Sequence, residues 1–206
     1  MVSRQIKRRG IRQIRVLEAM NEVPRHEFVP REVRDRAYED SPVAIDEATS
    51  ISQPYIVALM TECLELDGDE KVLEIGTGSG YHSAVLAQVA RDVYTIEIDR
   101  KLADRAKRNL ARLGYTNVET RQGDGYQGWP GEAPFDAIIL TTAPPRIPEP
   151  LIRQLKVGGK MVVPLGGFLQ DLLVITKEEY GVSKKAVAPV RLPEMTGEVQ
   201  EKKGSK

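Results

Sequence analysis

The chain carries little that a disulfide, a metal or a membrane could use. One cysteine, Cys63, stands among 206 residues, so no internal disulfide is expected. Its place in the apolar series Ile56, Leu59, Met60, Cys63, Leu64 gives it a packing role. Two histidines, His26 and His82, and that single thiol make no metal constellation. Lys plus Arg number 30 and Asp plus Glu number 30, a balance that lacks the electrostatic footprint of a protein held on nucleic acid by phosphate contacts. No apolar run approaches the length of a membrane span, and the basic start MVSRQIKRRG leads into no signal-peptide core. A soluble, cytoplasmic monomer is expected, with neither nucleic acid nor membrane as partner.

What is present is a chain 41% hydrophobic, enough for one sizeable core. Ile14, Leu17 and Met20 fall at helical spacing before Pro24 and Pro30 break the pattern. From Lys71 onward, short apolar runs alternate with helical segments, the pattern of strand, crossover helix and parallel strand. KVLEI, DVYTIEI, NVETRQ, FDAIILT and KMVVPLG read as five strands, the last entered through the turn VGG. LLVITK and AVAPVRL read as a closing pair. Between them, Leu102, Ala106, Leu110 and Leu113 line one helix face, with Asp99 placed as its cap.

The first strand runs into VLEIGTGSGYHSA, where Gly76, Gly78 and Gly80 alternate as strand gives way to helix. Glycine there admits positive φ and lets backbone approach a ligand that a β-carbon would push away. The dinucleotide fingerprint is GxGxxG, facing a pyrophosphate, whereas this loop is GxGxG with Glu74 two residues before it. A carboxylate beside the loop opposes phosphate and suits a ligand bearing ammonium and sulfonium groups, so S-adenosylmethionine fits better than a dinucleotide. Glu97 closes the second strand where an acid accepts from ribose hydroxyls, and Asp124, between Gly123 and Gly125, is placed for an adenine amino group. Such residues equally suit a methyltransferase acting on a small molecule or on tRNA.

Upstream, TSISQPYIVALM sets hydroxyl side chains at Thr49, Ser50 and Ser52 against Pro54, which starts a helix. This stretch, with VLEAMNEVPRHEFVP, AYED, VLEIGTGSGYHSAVLA, GDGYQGWPGEAPFDAIIL, APPRIPEPLIRQLKVGGKMVVPLG and EMTG, resembles the protein-L-isoaspartate O-methyltransferase family over roughly residues 5–197. The resemblance implies a class I, Rossmann-like α/β fold with a doubly wound, mostly parallel seven-stranded sheet whose last strand is antiparallel. It divides a single domain, 1–206, into a helical preface and substrate/cofactor loop (1–52), a Rossmann-like core (53–197) and a frayed polar tail (198–206). It implies methyl transfer from S-adenosylmethionine to isoaspartyl residues of damaged proteins and peptides. Ser52 is implied as the active-site serine. Thr49, Ser50, Ile51, Ser52, Glu74, Gly76, Thr77, Gly78, Ser79, Glu97, Ile98, Gly123, Asp124 and Thr196 are implied as cofactor contacts, with no metal. RLPEMTG departs from the family's usual ending by an acid, Glu194, near Thr196.

The chemistry itself needs no general base, because a free α-carboxyl with a pKa of about 3.5 is already ionised at neutral pH. Ser52 therefore reads as a positioning hydroxyl, the local sequence offering no His or Lys to activate it as a nucleophile. His82 and His26 read as structural, Tyr55 and Tyr81 as candidate groove residues, and Trp129 as either a cofactor cover or a core anchor.

Overall fold

The computed structural model describes residues 1–46 and 49–201. Helical turns at Val2–Ile6 and Lys7–Arg9 lead into α1 (Ile14–Glu22), and 3-10 turns at Arg25–Phe28 and Arg31–Arg36 follow the proline break. Next come β1 (Val43–Ala44), β2 (Ser50–Ile51) and α2 (Pro54–Glu62), with Pro54 in the first helical turn, where its missing N–H has no partner to lose. The alternating part is β3 (Lys71–Ile75), α3 (Tyr81–Val89), β4 (Asp92–Glu97), α4 (Arg100–Arg112), β5 (Val118–Gln122), β6 (Phe135–Leu140), α5 (Glu149–Gln154), β7 (Leu155–Gly166), β8 (Gln170–Glu178), β9 (Gly181–Val190) and α6 (Glu198–Glu201). Asp99 caps α4 as expected, accepting the Leu102 N–H at 2.9 Å.

Seven strands form one sheet in the order β5-β4-β3-β6-β7-β8-β9. β5, β4, β3, β6 and β7 are parallel; β8 pairs antiparallel with β7, and the last strand, β9, antiparallel with β8. Side chains alternate strictly across the central strands. Val72, Ala137, Ile139 and Val162 face the core built with α1, α2, α3 and α4. Leu73, Ile75, Ile138, Leu140, Met161 and Val163 face a second core with α5. Strands covered on both faces are near-continuous apolar runs, which is why KVLEI and FDAIIL, Glu74 apart in their buried stretches, read as buried strands.

Two expectations change. The VGG turn lies inside β7: Leu155 pairs with Phe135 and Lys160 with Ala137, so the intervening residues bulge out of the ladder. Of the frayed tail, 202–206 lie outside the described residues, but residues 198–201 form α6. Val199 there is fully buried in the second core, which anchors the segment. No helix among the described residues is long and apolar enough to cross a membrane.

Candidate active site

β3 is followed by β4 on one side and flanked by β6 on the other, and chain crossing in opposite directions leaves a crevice at the strands' C-terminal ends. A cavity of ≈730 Å³ occupies it. The hydroxyl run contributes Thr49, Ser50, Ile51 and Ser52 to its wall, the glycine loop Gly76, Thr77, Gly78 and Ser79, the end of β4 Glu97 and Ile98, and the closing segment Thr196.

The glycine loop is shaped for a ligand by two different demands. Gly76 has φ 98°, and a β-carbon there would overlap Thr141 Oγ1, which itself donates to the Gly76 carbonyl at 2.6 Å and the Ile75 carbonyl at 3.1 Å. Gly78 has φ 56°, and its β-carbon would enter open space. Because Gly78 also lines the cavity, a side chain there would fill room that a ligand can use. Glu97 is buried, its Oε2 accepting from the Gly78 N–H at 2.8 Å and its Oε1 from the Asp99 N–H at 3.0 Å. Each oxygen keeps a lone pair for a hydroxyl in the cavity.

Three expected contacts lie off the wall. Glu74 is fully buried behind the loop; Ser83 Oγ and, at 2.7 Å, Thr95 Oγ1 donate to its Oε2, while its Oε1 has no partner. Burial pushes its pKa up to about 7 against the lowering effect of those hydroxyls. A carboxylate there can act on a ligand through its charge but does not face the cavity. Gly123 is likewise absent from the wall. Asp124 accepts one backbone N–H on each carboxylate oxygen: Oδ1 from the Tyr126 N–H at 2.8 Å and Oδ2 from the Glu198 N–H at 2.7 Å. A β-carbon on Gly197 would collide with that carboxylate. Asp124 thus ties down the segment that brings Thr196 to the cavity.

Ser52 reaches the wall from a ladder rather than from a helix cap. β1 pairs Val43 with Ile51 and Ala44 with Ser50, and α2 begins directly afterwards. The carbonyl of Ser52 is held by Arg25, whose guanidinium donates to it at 2.6 Å and, through Nε, to the Ala37 carbonyl at 2.6 Å. Arg25 is fully buried and lies 4.8 Å from the Tyr81 ring centroid. Its neighbour His26, the more conspicuous side chain in PRHEF, bonds Tyr38 at the surface. Nothing in an arginine between two prolines announces burial. Thr141 and Thr142, also on the wall, were missed although they follow β6 directly; the rule that ligands gather at strand ends would have found them.

The remaining candidates sort by contact. His82 lines the cavity but is buried, shares a 2.9 Å hydrogen bond with Thr61 Oγ1, and has its pKa pushed down to about 3 by desolvation. It is neutral at working pH and cannot serve as an imidazolium acid. Tyr81 lines the cavity, whereas Tyr55 lies beneath the Arg9 guanidinium. Trp129 is a core anchor, edge-on to Tyr94 at 5.4 Å. Burial pushes the Cys63 thiol up to about 11, which leaves it unreactive. No group of His, Cys, Asp and Glu among the described residues could hold a metal.

A doubly wound, mostly parallel sheet with a GxGxG loop and a strand-end acid at one crevice defines a class I methyltransferase, whose methyl donor is S-adenosylmethionine. The family model for protein-L-isoaspartate(D-aspartate) O-methyltransferase matches residues 1–200, and the chain belongs to that family. It is 54% identical over 203 residues to a protein-L-isoaspartate O-methyltransferase of Synechococcus sp. (strain JA-2-3B'a(2-13)), covering 95% of this chain and 83% of that one. It is 50% identical to one of Gloeobacter violaceus, covering 96% and 98%. Among solved structures, a protein-L-isoaspartate O-methyltransferase superposes with a TM-score of 0.88 at 32% identity, covering 94% of this chain; this chain spans 64% of that one. A Plasmodium falciparum protein described as a candidate member, solved with S-adenosyl-L-homocysteine, superposes with a TM-score of 0.78 at 26% identity, covering 92% of this chain and 94% of that one.

Proposed function

We infer that the chain transfers a methyl group from S-adenosylmethionine to the free α-carboxylate of L-isoaspartyl residues in damaged proteins and peptides, the first step of repair through a succinimide. The observation that carries this reading is Ser52 and its neighbours on the wall of the cavity that the glycine loop and Glu97 complete. The residues fit the cofactor: Gly78 leaves open space at the wall, and Glu97 keeps acceptor capacity toward it. Thr49 to Ser52, Gly76 to Ser79, Glu97, Ile98 and Thr196 would hold it, Ser52 through its backbone, with Glu74 acting through its charge. When bound, S-adenosylmethionine supplies a methyl group activated by its sulfonium.

The protein's part is alignment and desolvation. The substrate carboxylate arrives ionised, so His82 need take no proton, in keeping with its buried, neutral state. Neutralising a carboxylate against a cation is favoured in a dry pocket. A neutral donor orients one oxygen without fixing its charge, and the Ser52 hydroxyl meets that requirement; the Arg25 bond to its carbonyl holds the backbone that carries it. The neighbouring backbone nitrogen then attacks the ester carbonyl and expels the methoxy group as methanol, its own N–H proton leaving with it, which closes the succinimide without further help. The enzyme is taken to work as a cytoplasmic monomer on polypeptides, and its zero formal net charge supports substrates other than nucleic acid.

Labelled methyl should pass from S-adenosylmethionine to an isoaspartyl peptide and not to its aspartyl counterpart; equal labelling of both, or of neither, overturns the reading. Ser52→Ala should keep cofactor affinity in calorimetric titration while kcat falls about 10- to 100-fold, the worth of one oriented donor. Loss of cofactor affinity with unaltered kcat would instead make the Ser52 hydroxyl a cofactor contact alone.

A further inference from the structure

An isoaspartyl residue continues its chain through the side-chain carboxyl, so a polypeptide presenting the free α-carboxylate to the cavity must leave it in two directions. One exit is built at the same end of the sheet, by the turn between β7 and β8 and the segment after β9. There Phe168, Gln170, Arg191, Pro193 and Glu194 line a second hollow of ≈440 Å³. Pro193 and Glu194 also stand on the wall of the cofactor cavity, so the two share a rim.

That rim is rigid. The Ala143 N–H donates to the Pro193 carbonyl at 2.7 Å and the Met195 N–H to the Ala143 carbonyl at 2.8 Å. The buried Gln170 side chain donates to the Leu192 carbonyl at 2.9 Å and accepts the Leu192 N–H at 2.8 Å. Phe168, on the wall of the hollow, is 89% exposed, and Leu169, next in the chain, 84%. Single exposed apolar side chains need no explanation, as with Tyr180 at the opposite end of the sheet. Two large ones in succession, the first on the wall of a hollow that shares Pro193 and Glu194 with the reaction cavity, mark a contact surface.

We propose that this hollow holds the polypeptide flanking the isoaspartyl residue, with Phe168 and Leu169 closing on a large apolar side chain of that segment. The proposal rests on the isoaspartyl reading and adds to it a preference for the neighbouring sequence. It is tested with isoaspartyl peptides that differ in carrying Leu or Gly at each of the flanking positions, on the wild-type enzyme and on the double variant Phe168→Ser/Leu169→Ser. In the wild type, Leu at one position should lower KM about five- to tenfold, as a buried apolar anchor does. The double variant should raise the KM of that peptide to the Gly peptide's value, with kcat at saturation and the KM for S-adenosylmethionine unaltered. A Leu advantage of equal size in both proteins, or none at any position in the wild type, overturns the proposal alone. Failure of every isoaspartyl peptide to accept methyl overturns it together with the reading on which it rests.

Discussion

Gly76→Ala is expected to destabilise the fold by about 2–4 kcal/mol, from φ strain and overpacking together, and to weaken cofactor binding with it. At φ 98° an L-residue is strained wherever it is placed, and the added methyl overlaps Thr141 Oγ1. Thr141 cannot turn away without giving up its bonds to the Ile75 and Gly76 carbonyls, which hold the end of β6 against the loop. Gly78→Ala offers the contrast. Its φ of 56° lies where an L-residue fits at modest cost, and its β-carbon meets nothing. That variant should fold within about 1 kcal/mol of the wild type, yet bind S-adenosyl-L-homocysteine more weakly, because the methyl stands in the ligand's space. Urea unfolding and calorimetric titration of both proteins separate the two jobs. Adding Thr141→Ala to Gly76→Ala should return the part of the loss due to overlap and leave the part due to φ. If the loss in the double variant is no smaller than the sum of the losses of Gly76→Ala and Thr141→Ala taken singly, the overlap is not the cause.

The contrast between these glycines shows where sequence reading stops. Alternating positions at a strand-to-helix junction are visible in GTGSG, and they suffice to name a ligand loop. They do not say that one glycine answers to a threonine 65 residues away and another to the cavity. The sheet was legible for a similar reason: β3 and β6 are covered on both faces, so their burial is written in consecutive apolar residues. The β1–β2 ladder was not legible, since two residues per strand carry no period. The acids divide the same way. Glu97 could be placed from its strand end, because the end of β4 is where the crevice opens. Asp124 also follows a strand, but it stands off the cavity wall, where its carboxylate accepts the Tyr126 and Glu198 amides. Which strand-end acid reaches the crevice is decided by tertiary geometry.

Glu74 carries the second large effect, read through pH. Burial raises its pKa from the ordinary carboxyl range to about 7, with the Glu97 charge adding to the rise and the Ser83 and Thr95 hydroxyls opposing it. Between about pH 4.5 and 7 the folded chain keeps a proton on this group that the unfolded chain has lost, so its contribution is fully present below 4.5 and is lost as pH rises through 7. The loss amounts to about 3 kcal/mol, about 2.5 pKa units at 1.36 kcal/mol each. His82 acts in the other direction: its lowered pKa withdraws stability as pH falls from about 6.5 toward 3. Glu74→Gln keeps the size of the side chain and removes the titration. Relative to the wild type, it should gain about 3 kcal/mol between pH 5 and pH 8 in urea unfolding, its own profile keeping the acid-side fall from His82. Parallel profiles for the two proteins would mean that Glu74 is ionised in the fold throughout. A cation-bearing ligand in the cavity favours the carboxylate, so S-adenosylmethionine should shrink the wild type's loss between pH 5 and 8 and leave the Gln variant's profile unmoved. That is the form in which a carboxylate off the cavity wall still selects a sulfonium.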